Sequence, residues 1–165
     1  MIKIDIHGMK DGEYEIDLNT EVEKIECFFE EFFGMIDVKG VIKKVGNRFT
    51  LKSKATVKAK LVCDRSLQNY EEIVTSNVNL GFIADTKAFL ESTERDIDSD
   101  IVIREDAQFI DITSEVIELL ALNLPMKRIA PEFRDKDITE IFPDINSGDN
   151  ATDERWSKLK DFKIN

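Results

Sequence analysis

The chain has 165 residues, of which 42% are hydrophobic and 35% are charged, and it carries a net charge of −11. This composition is typical of a folded domain, and it argues against a disordered chain and against indiscriminate binding of nucleic acid. No stretch approaches the roughly 18 apolar residues needed to cross a bilayer, and the first residues lack the apolar segment of a signal peptide. We therefore expect a cytoplasmic protein without membrane contact, with one domain over residues 1–145 and a linker and short helix or tail over 146–165.

The first elements alternate between apolar and polar residues. Residues 2–6 and 13–18 each follow the two-residue period of a strand, and the glycines between them favour turns, so the two segments predict a hairpin. The next segment predicts a helix over residues 21–33, ended by Gly34, because apolar side chains recur there at three- and four-residue spacing. These apolar residues are Val22, Ile25, Phe29, Phe32 and Phe33.

The clearest pattern lies in the middle of the chain. Residues 38–45 are rich in β-branched side chains and end at Gly46 and Asn47, a two-residue turn signal. From residue 48 to residue 63, apolar or small side chains occupy the odd positions, and polar or basic ones occupy nearly every even position. Because successive side chains of a strand point to opposite faces, this segment predicts a strand with one buried face and one cationic face.

Charge is segregated along the chain. Eight basic residues and no acidic one lie between Val38 and Cys63, so this stretch carries +8 and the rest of the chain carries −19, which together give the net −11. The basic residues are Lys39, Lys43, Lys44, Arg48, Lys52, Lys54, Lys58 and Lys60. The sequence therefore predicts a dipolar molecule.

The second half of the chain predicts further strands and a loop. Residues 69–83 are rich in Val, Ile, Thr and Phe, and they predict a strand that pairs antiparallel with the cationic strand. The acidic stretch 91–106 predicts a mobile loop that holds one short strand near residues 101–103.

A helix follows this loop and completes the predicted fold. Thr113 favours a helix start as its N-cap, and residues 113–122 predict a helix that is buried over most of its surface and ends before Pro125. We therefore predict an α+β fold with a mainly antiparallel sheet, helices near residues 21–33 and 113–122, and barrel-like closure of the sheet as one alternative.

The residues give no positive sign of catalysis or of a bound cofactor. His7 is the single histidine, and Cys27 and Cys63 are too few to complete a zinc site without carboxylates. The seven glycines form no phosphate-binding loop. We therefore predict that the protein is not an enzyme and has no catalytic residue, no metal and no cofactor.

Three interpretations of the cationic strand face remain open. Its lysines could form a solvated surface that protects a sheet edge from aggregation. They could instead attract phosphate, or the protein's own acidic stretch 91–106, since neighbouring like charges on one strand face repel. Aromatic residues that would stack on unpaired bases are absent from this face, so we expect contact mainly with a nucleic-acid backbone. The candidate nucleic-acid-binding residues are Arg48, Lys52, Lys54, Lys58, Lys60 and Arg65.

Segments between residue 38 and the end of the chain share a pattern with a known family. Residues 61–67 read Leu-Val-Cys-Asp-Arg-Ser-Leu, residues 110–112 read Ile-Asp-Ile, residues 118–125 read Glu-Leu-Leu-Ala-Leu-Asn-Leu-Pro, and residues 153–159 read Asp-Glu-Arg-Trp-Ser-Lys-Leu. These segments resemble the Cys-Asp-Arg-Cys-Leu element, the acidic and apolar lead into a helix ending in Leu-Pro, and the Asp-Pro-Arg-Trp-x-x-Leu close of the YceD-like family of ribosomal-RNA-accumulation proteins.

The resemblance implies a role in the accumulation of large-subunit ribosomal RNA, in bacteria and plastids, without catalysis. Ribosomal RNA or a ribosomal precursor particle would then be the partner. The −19 outside the basic stretch leaves an alternative, in which the acidic surface binds a basic ribosomal protein as an adaptor or chaperone.

Departures from the family pattern limit what the resemblance implies. Ser66 stands where the family usually has a second cysteine, and Ala130 lies where another cysteine is often found, so a metal or redox role of cysteine-rich members does not transfer. We expect Cys63 to point to the apolar face, Asp64 to bond the backbone of its own turn, and Arg65 to reach phosphate or pair with an acid.

Overall fold

The computed structural model describes residues 1–25, 29–91, 100–136 and 140 of the chain. The strands of this part are β1 (Lys3–Asp5), β2 (Gly12–Glu21), β3 (Phe32–Val45), β4 (Arg48–Val62), β5 (Asn69–Ala84), β6 (Ile101–Ile103) and β7 (Phe109–Asp111). The helices are α1 (Thr86–Glu91) and α2 (Thr113–Leu122), with short 3-10 helices at Val22–Lys24 and Pro131–Phe133. The predicted linker and tail over residues 146–165 lie outside the described residues.

Five strands form one sheet in the order β2-β3-β4-β5-β6, and β1 and β7 form a separate pair. All neighbouring strands are antiparallel except β5 and β6. The prediction of an α+β fold with a mainly antiparallel sheet is therefore confirmed. The barrel-like alternative is wrong, because β2 and β6 stay apart as the two edges of the larger sheet in the part of the chain that the structure describes.

The centre of the sheet is the hairpin of β3 and β4, which the sequence predicts. Val45 pairs with Arg48 across the turn, and Gly46 in the turn has a φ of +61°, which glycine adopts without steric cost. The predicted strand over residues 69–83 is confirmed as β5, which pairs antiparallel with β4 along its whole length.

The hydrophobic core lies on one face of this sheet. The odd-numbered residues of β4 are buried, and α2 packs across β4 and β5 with Val116 and Leu120 fully buried. Full burial of one such side chain stabilises the fold by about 1.5–3 kcal/mol. The alternation along β4 therefore decides which face of the sheet is left for solvent.

The predicted helix over residues 21–33 is wrong. β2 continues to Glu21, a single 3-10 turn follows at Val22–Lys24, and β3 already begins at Phe32. Three of the five apolar residues of this segment, Val22, Ile25 and Phe32, are each less than 10% exposed, whereas Phe29 is 45% exposed. Their spacing matches the helical period, although the described residues of this segment form no α-helix. Residues 26–28 lie outside the described residues.

The predicted hairpin between the first two strands is also wrong, although both strands exist. β2 pairs with β3, whereas β1 pairs with β7, more than a hundred residues away, with Ile4 opposite Ile110. The Ile2 N–H donates to Thr113 Oγ1 at 2.7 Å and extends this pairing to the start of α2. The alternating residues 2–6 therefore form a strand, but its partner is distant in the sequence.

The helix over residues 113–122 is confirmed as α2, but two details differ from the prediction. Thr113 is the first helical residue and does not cap the helix, because its hydroxyl bonds Ile2 and Asp111 instead. Burial is also limited to one side of the helix, and Leu122 is 80% exposed.

The short strand predicted inside the acidic stretch is confirmed as β6, and α1 precedes it without having been predicted. No helix of the described residues has the length and apolar character needed to cross a membrane.

Candidate nucleic-acid interface

The outer face of β4 carries four lysines in line, which we call the lysine row: Lys52, Lys54, Lys58 and Lys60. All four are exposed, and the odd-numbered residues between them are buried. Every second residue lies about 6.6–6.8 Å further along a strand, so the lysine row extends for about 27 Å. The alternation of the sequence therefore brings the four ammonium groups to one face.

The lysine row lies at the centre of the sheet. β4 has β3 on one side and β5 on the other, so its backbone groups are already paired in both directions. Lysines that discourage aggregation belong on edge strands, whose backbone groups are free. The edge-protection interpretation of these lysines is therefore wrong.

Carboxylates on β2 neutralise the lysines of β3. Lys39 Nζ lies 3.1 Å from Asp17 Oδ2, and Lys43 Nζ lies 3.0 Å from Glu13 Oε1. These side chains are more than half exposed, so each pair stabilises the fold by at most about 1 kcal/mol. The pairs neutralise two acidic groups on that side, whereas Asp37 of β3 lies opposite Thr56 on the same face, between Lys54 and Lys58 in the register.

Neutral polar side chains flank the first half of the lysine row on the β5 side. Asn79 lies opposite Lys52, and Asn77 lies opposite Lys54. Residues directly opposite on antiparallel strands point to the same face, so these amides lie beside the ammonium groups. They offer hydrogen bonds to a ligand without cancelling the positive charge.

No carboxylate of the described residues forms an ion pair with a member of the lysine row. Glu71 lies opposite Lys60 in the register, yet no pair forms there. Four like charges on one strand repel each other, and an anionic ligand would relieve that repulsion.

Arg48, at the start of β4, is in a different situation. Its guanidinium lies 3.1 Å from Asp100 Oδ2, in the acidic stretch 91–106. A Cβ on Gly81, which lies in β5 opposite Thr50, would meet the end of the Asp100 side chain, so glycine leaves room for this carboxylate. Asp100 therefore neutralises Arg48 at the end of the cationic face. Unlike the lysines of the lysine row, Arg48 has a carboxylate partner.

The structure does not bring Arg65 to the lysine row. Its guanidinium donates to the main-chain carbonyl of Phe133 at 2.8 Å and to that of Lys136. Arg65 therefore holds the segment after α2 against the turn that follows β4.

The turn after β4 is fastened to the same segment. Asp64 Oδ2 accepts the Arg128 N–H at 2.8 Å, and the Asp64 N–H donates to the Arg128 carbonyl at 2.6 Å. The expectation that Asp64 bonds its own turn is therefore wrong; its partner lies 64 residues further along the chain. Cys63 is fully buried, as expected, and its sulfur accepts the Ala130 N–H at 3.4 Å.

Two effects act on the thiol of Cys63. Burial raises its pKa, but hydrogen bonds from the Ala130 N–H, from Ser66 and from the Arg65 N–H favour the thiolate and bring the pKa down to about 7. The turn thus stabilises a negative charge on sulfur.

A charged pair lies close to this turn, on the inner side of β5. Arg134 donates to Glu72 Oε1 at 2.5 Å, which raises the pKa of the guanidinium. Burial and the Glu72 carboxylate raise the pKa of Tyr70. These groups hold the segment after α2 in place, on the face opposite to the lysine row.

A cleft of about 490 Å³ lies at the far end of the sheet, between His7 and the turn of the β3–β4 hairpin. Its cations are used internally: Lys44 Nζ donates to the Met9 carbonyl at 2.6 Å, and Arg104 forms two hydrogen bonds to Asp106. Within the described ranges, no group of three or more His, Cys, Asp or Glu side chains is placed to hold a metal ion.

Phe33 is a candidate that the sequence reasoning missed. In β3 it lies opposite the exposed Lys58, so its ring is on the outer face, half-buried. The outer face of β4 itself carries no aromatic side chain, as predicted, and the ring comes from the neighbouring strand β3. The alternation of β3 already starts at Phe32 and Phe33, but the prediction of a helix over residues 21–33 included both residues and so concealed it.

One comparison with known proteins gives a match. The family model described as large ribosomal RNA subunit accumulation protein YceD matches residues 51–163, more than half of the chain. The matched range contains the whole lysine row and the turn after β4. No match was found among curated proteins or among solved structures.

Proposed function

The chain belongs to the YceD family of large ribosomal RNA subunit accumulation proteins, and we propose that it supports this accumulation by binding the RNA, or a precursor particle that contains it, through the lysine row. In this proposal it acts in the cytoplasm and catalyses no reaction. The observation that carries the proposal is the lysine row itself, four exposed ammonium groups on a central strand without carboxylate partners among the described residues.

The net charge of −11 does not prevent this binding. Salt screens exposed charges over about 8–10 Å at physiological ionic strength, so a phosphate next to the lysine row responds mainly to the ammonium groups. Two carboxylates of β2, Glu13 and Asp17, are neutralised by lysines of β3, and Asp37, opposite Thr56, is one carboxylate beside four ammonium groups. The acidic remainder of the surface then limits binding elsewhere on the molecule.

Contact with the sugar–phosphate backbone fits the side chains of this face. Lysine and the amides Asn77 and Asn79 provide donors for phosphate and ribose oxygens, which position a nucleic acid without reading its sequence. Sequence preference would then come from the rest of the particle.

The alternative, an adaptor for a basic ribosomal protein, has less support. Two of the acids along β2 are already paired with lysines of the same sheet. Treatment with nuclease separates the two functions, because association through RNA is lost and association through a protein persists.

A charge-reversal pair tests the proposal. We expect Lys54→Glu with Lys58→Glu to abolish co-sedimentation with large-subunit precursor particles, and to shift the thermal midpoint little because both side chains are exposed. Lys3→Glu with Lys10→Glu is the matched control, since it changes the net charge equally at exposed positions away from β4. Equal co-sedimentation of both variants at low salt would show that the lysine row is only a solvated surface.

A further inference from the structure

Phe33 occupies a distinctive place on the outer face. Among the described residues of the five-stranded sheet, it is the one aromatic residue whose register points it away from the core. Its neighbour Phe32 lies opposite the buried Ala59 and fills the core, so the two rings of this pair point to opposite faces.

The backbone that follows Phe33 departs from regular strand geometry. Gly34 has a φ of +78°, a conformation that other residues rarely adopt, and the pairing of β3 with β4 shifts in register before Asp37. The alternation of β3 continues through this shift, so Phe33 and Asp37 point to the outer face while Phe32 and Ile36 are buried.

At Phe33, β3 has no β2 partner on one side. β2 pairs with β3 only as far as Met35, so no strand residue is paired with Phe33 on that side. On its other side the ring has Lys58 directly opposite, with Lys60 on the diagonal, within reach of an aromatic side chain. An aromatic surface therefore adjoins one end of the lysine row.

We propose that Phe33 is a stacking platform for an unpaired base of the RNA whose phosphates lie along the lysine row, so that the preferred ligand is single-stranded RNA. This inference rests on the proposed function and narrows its ligand. A base presents a flat face only when it leaves a duplex, and stacking on an aromatic ring does not depend on which base it is. Alternate residues of an extended strand are also spaced to meet successive phosphates of an extended single strand.

Substitutions at residue 33 test the platform. In Phe33→Leu the side chain stays apolar but the ring is lost, so we expect affinity for a short unstructured RNA to fall about 5- to 150-fold. The dependence of affinity on salt should stay unchanged, because no phosphate contact is lost. Ile73→Leu is the control, since Ile73 is an exposed apolar residue opposite Lys58 on the other side of the lysine row.

A fluorescent reporter measures stacking directly, whatever the effect on stability. Trp156 is the only tryptophan, so Phe33→Trp in a Trp156→Phe background places a single indole at the platform. We expect single-stranded RNA to quench its emission and to bind more tightly than the matched duplex.

The possible outcomes separate the two proposals. Binding that depends on the lysines, with no effect of Phe33→Leu, no quenching and no preference for the single strand, would overturn the stacking platform and leave the RNA-binding function standing. Absence of RNA binding by the unmodified protein at low salt would overturn both.

Discussion

The carboxylate of Asp100 lies over Gly81 on the outer face of the sheet, in the space that any other side chain at residue 81 would occupy. From this position it forms the 3.1 Å ion pair with Arg48. The protein thus places one of its own anions at the end of its cationic strand, where a phosphate could otherwise bind.

Removing this internal anion should strengthen RNA binding. We expect Asp100→Asn to raise the affinity and to steepen the salt dependence by about 0.7 in the log–log slope, because Arg48 becomes available for one more phosphate. Binding titrations at several salt concentrations measure both effects. Asp106→Asn is the control, since Asp106 pairs with Arg104 away from the lysine row. Equal behaviour of the two variants would show that Arg48 does not meet the ligand.

Arg65 should behave as a structural residue. We expect Arg65→Ala to lower the free energy of unfolding by about 1–3 kcal/mol, because charged hydrogen bonds to two main-chain carbonyls are lost. Urea denaturation measures this loss, and Lys58→Ala, at an exposed site, should show almost none. RNA affinity should follow the opposite order, falling for Lys58→Ala only. Weaker RNA binding by Arg65→Ala with unchanged stability would place Arg65 in the interface instead.

The thiol of Cys63 predicts a dependence of stability on pH. Its pKa of about 7 in the folded protein lies below the ordinary value of about 8.5 for a thiol in an unfolded chain. The folded state therefore favours the thiolate, and the resulting stability is fully present above the unfolded pKa and is lost as the pH falls through 7.

The variant Cys63→Ser, which cannot form a thiolate, reveals this contribution. We expect the difference in unfolding free energy between the unmodified protein and this variant to grow from pH 6 to pH 9, measured by urea denaturation with a reductant present. Ser53→Ala is the control, because it removes a buried hydroxyl that does not titrate in this range, and the difference in unfolding free energy that it causes should not change with pH. If the difference in unfolding free energy between the unmodified protein and Cys63→Ser shrank with rising pH, the effect of burial on the thiol pKa would outweigh the hydrogen bonds, and the thiol would stay neutral.

The parts of the fold that were predictable are those whose pattern is local. Alternation in β4 is strict because one face packs against the core and the other meets solvent, so the sequence alone placed the lysine row on one side of one strand. The β3–β4 hairpin was predictable for the same reason, since its turn needs only Gly46 and Asn47.

The rest depends on contacts between distant residues. Nothing near β1 indicates that its partner is β7, and nothing near Arg48 indicates that Asp100 will neutralise it. The helix predicted over residues 21–33 was wrong because the end of β2, a 3-10 turn and the start of β3 together carry apolar side chains at helix-like spacing. Phe33, the residue that this error concealed, is central to the further inference.

The salt dependence of RNA binding tests the central claim most directly. Each lysine that contacts a phosphate of a single strand contributes about 0.7 to the slope of log affinity against log salt concentration. Replacing Lys52, Lys54, Lys58 and Lys60 by glutamine should therefore reduce the slope for a large-subunit ribosomal RNA fragment by about 3 and weaken binding at every salt concentration. An unchanged slope and affinity in this variant would contradict the account.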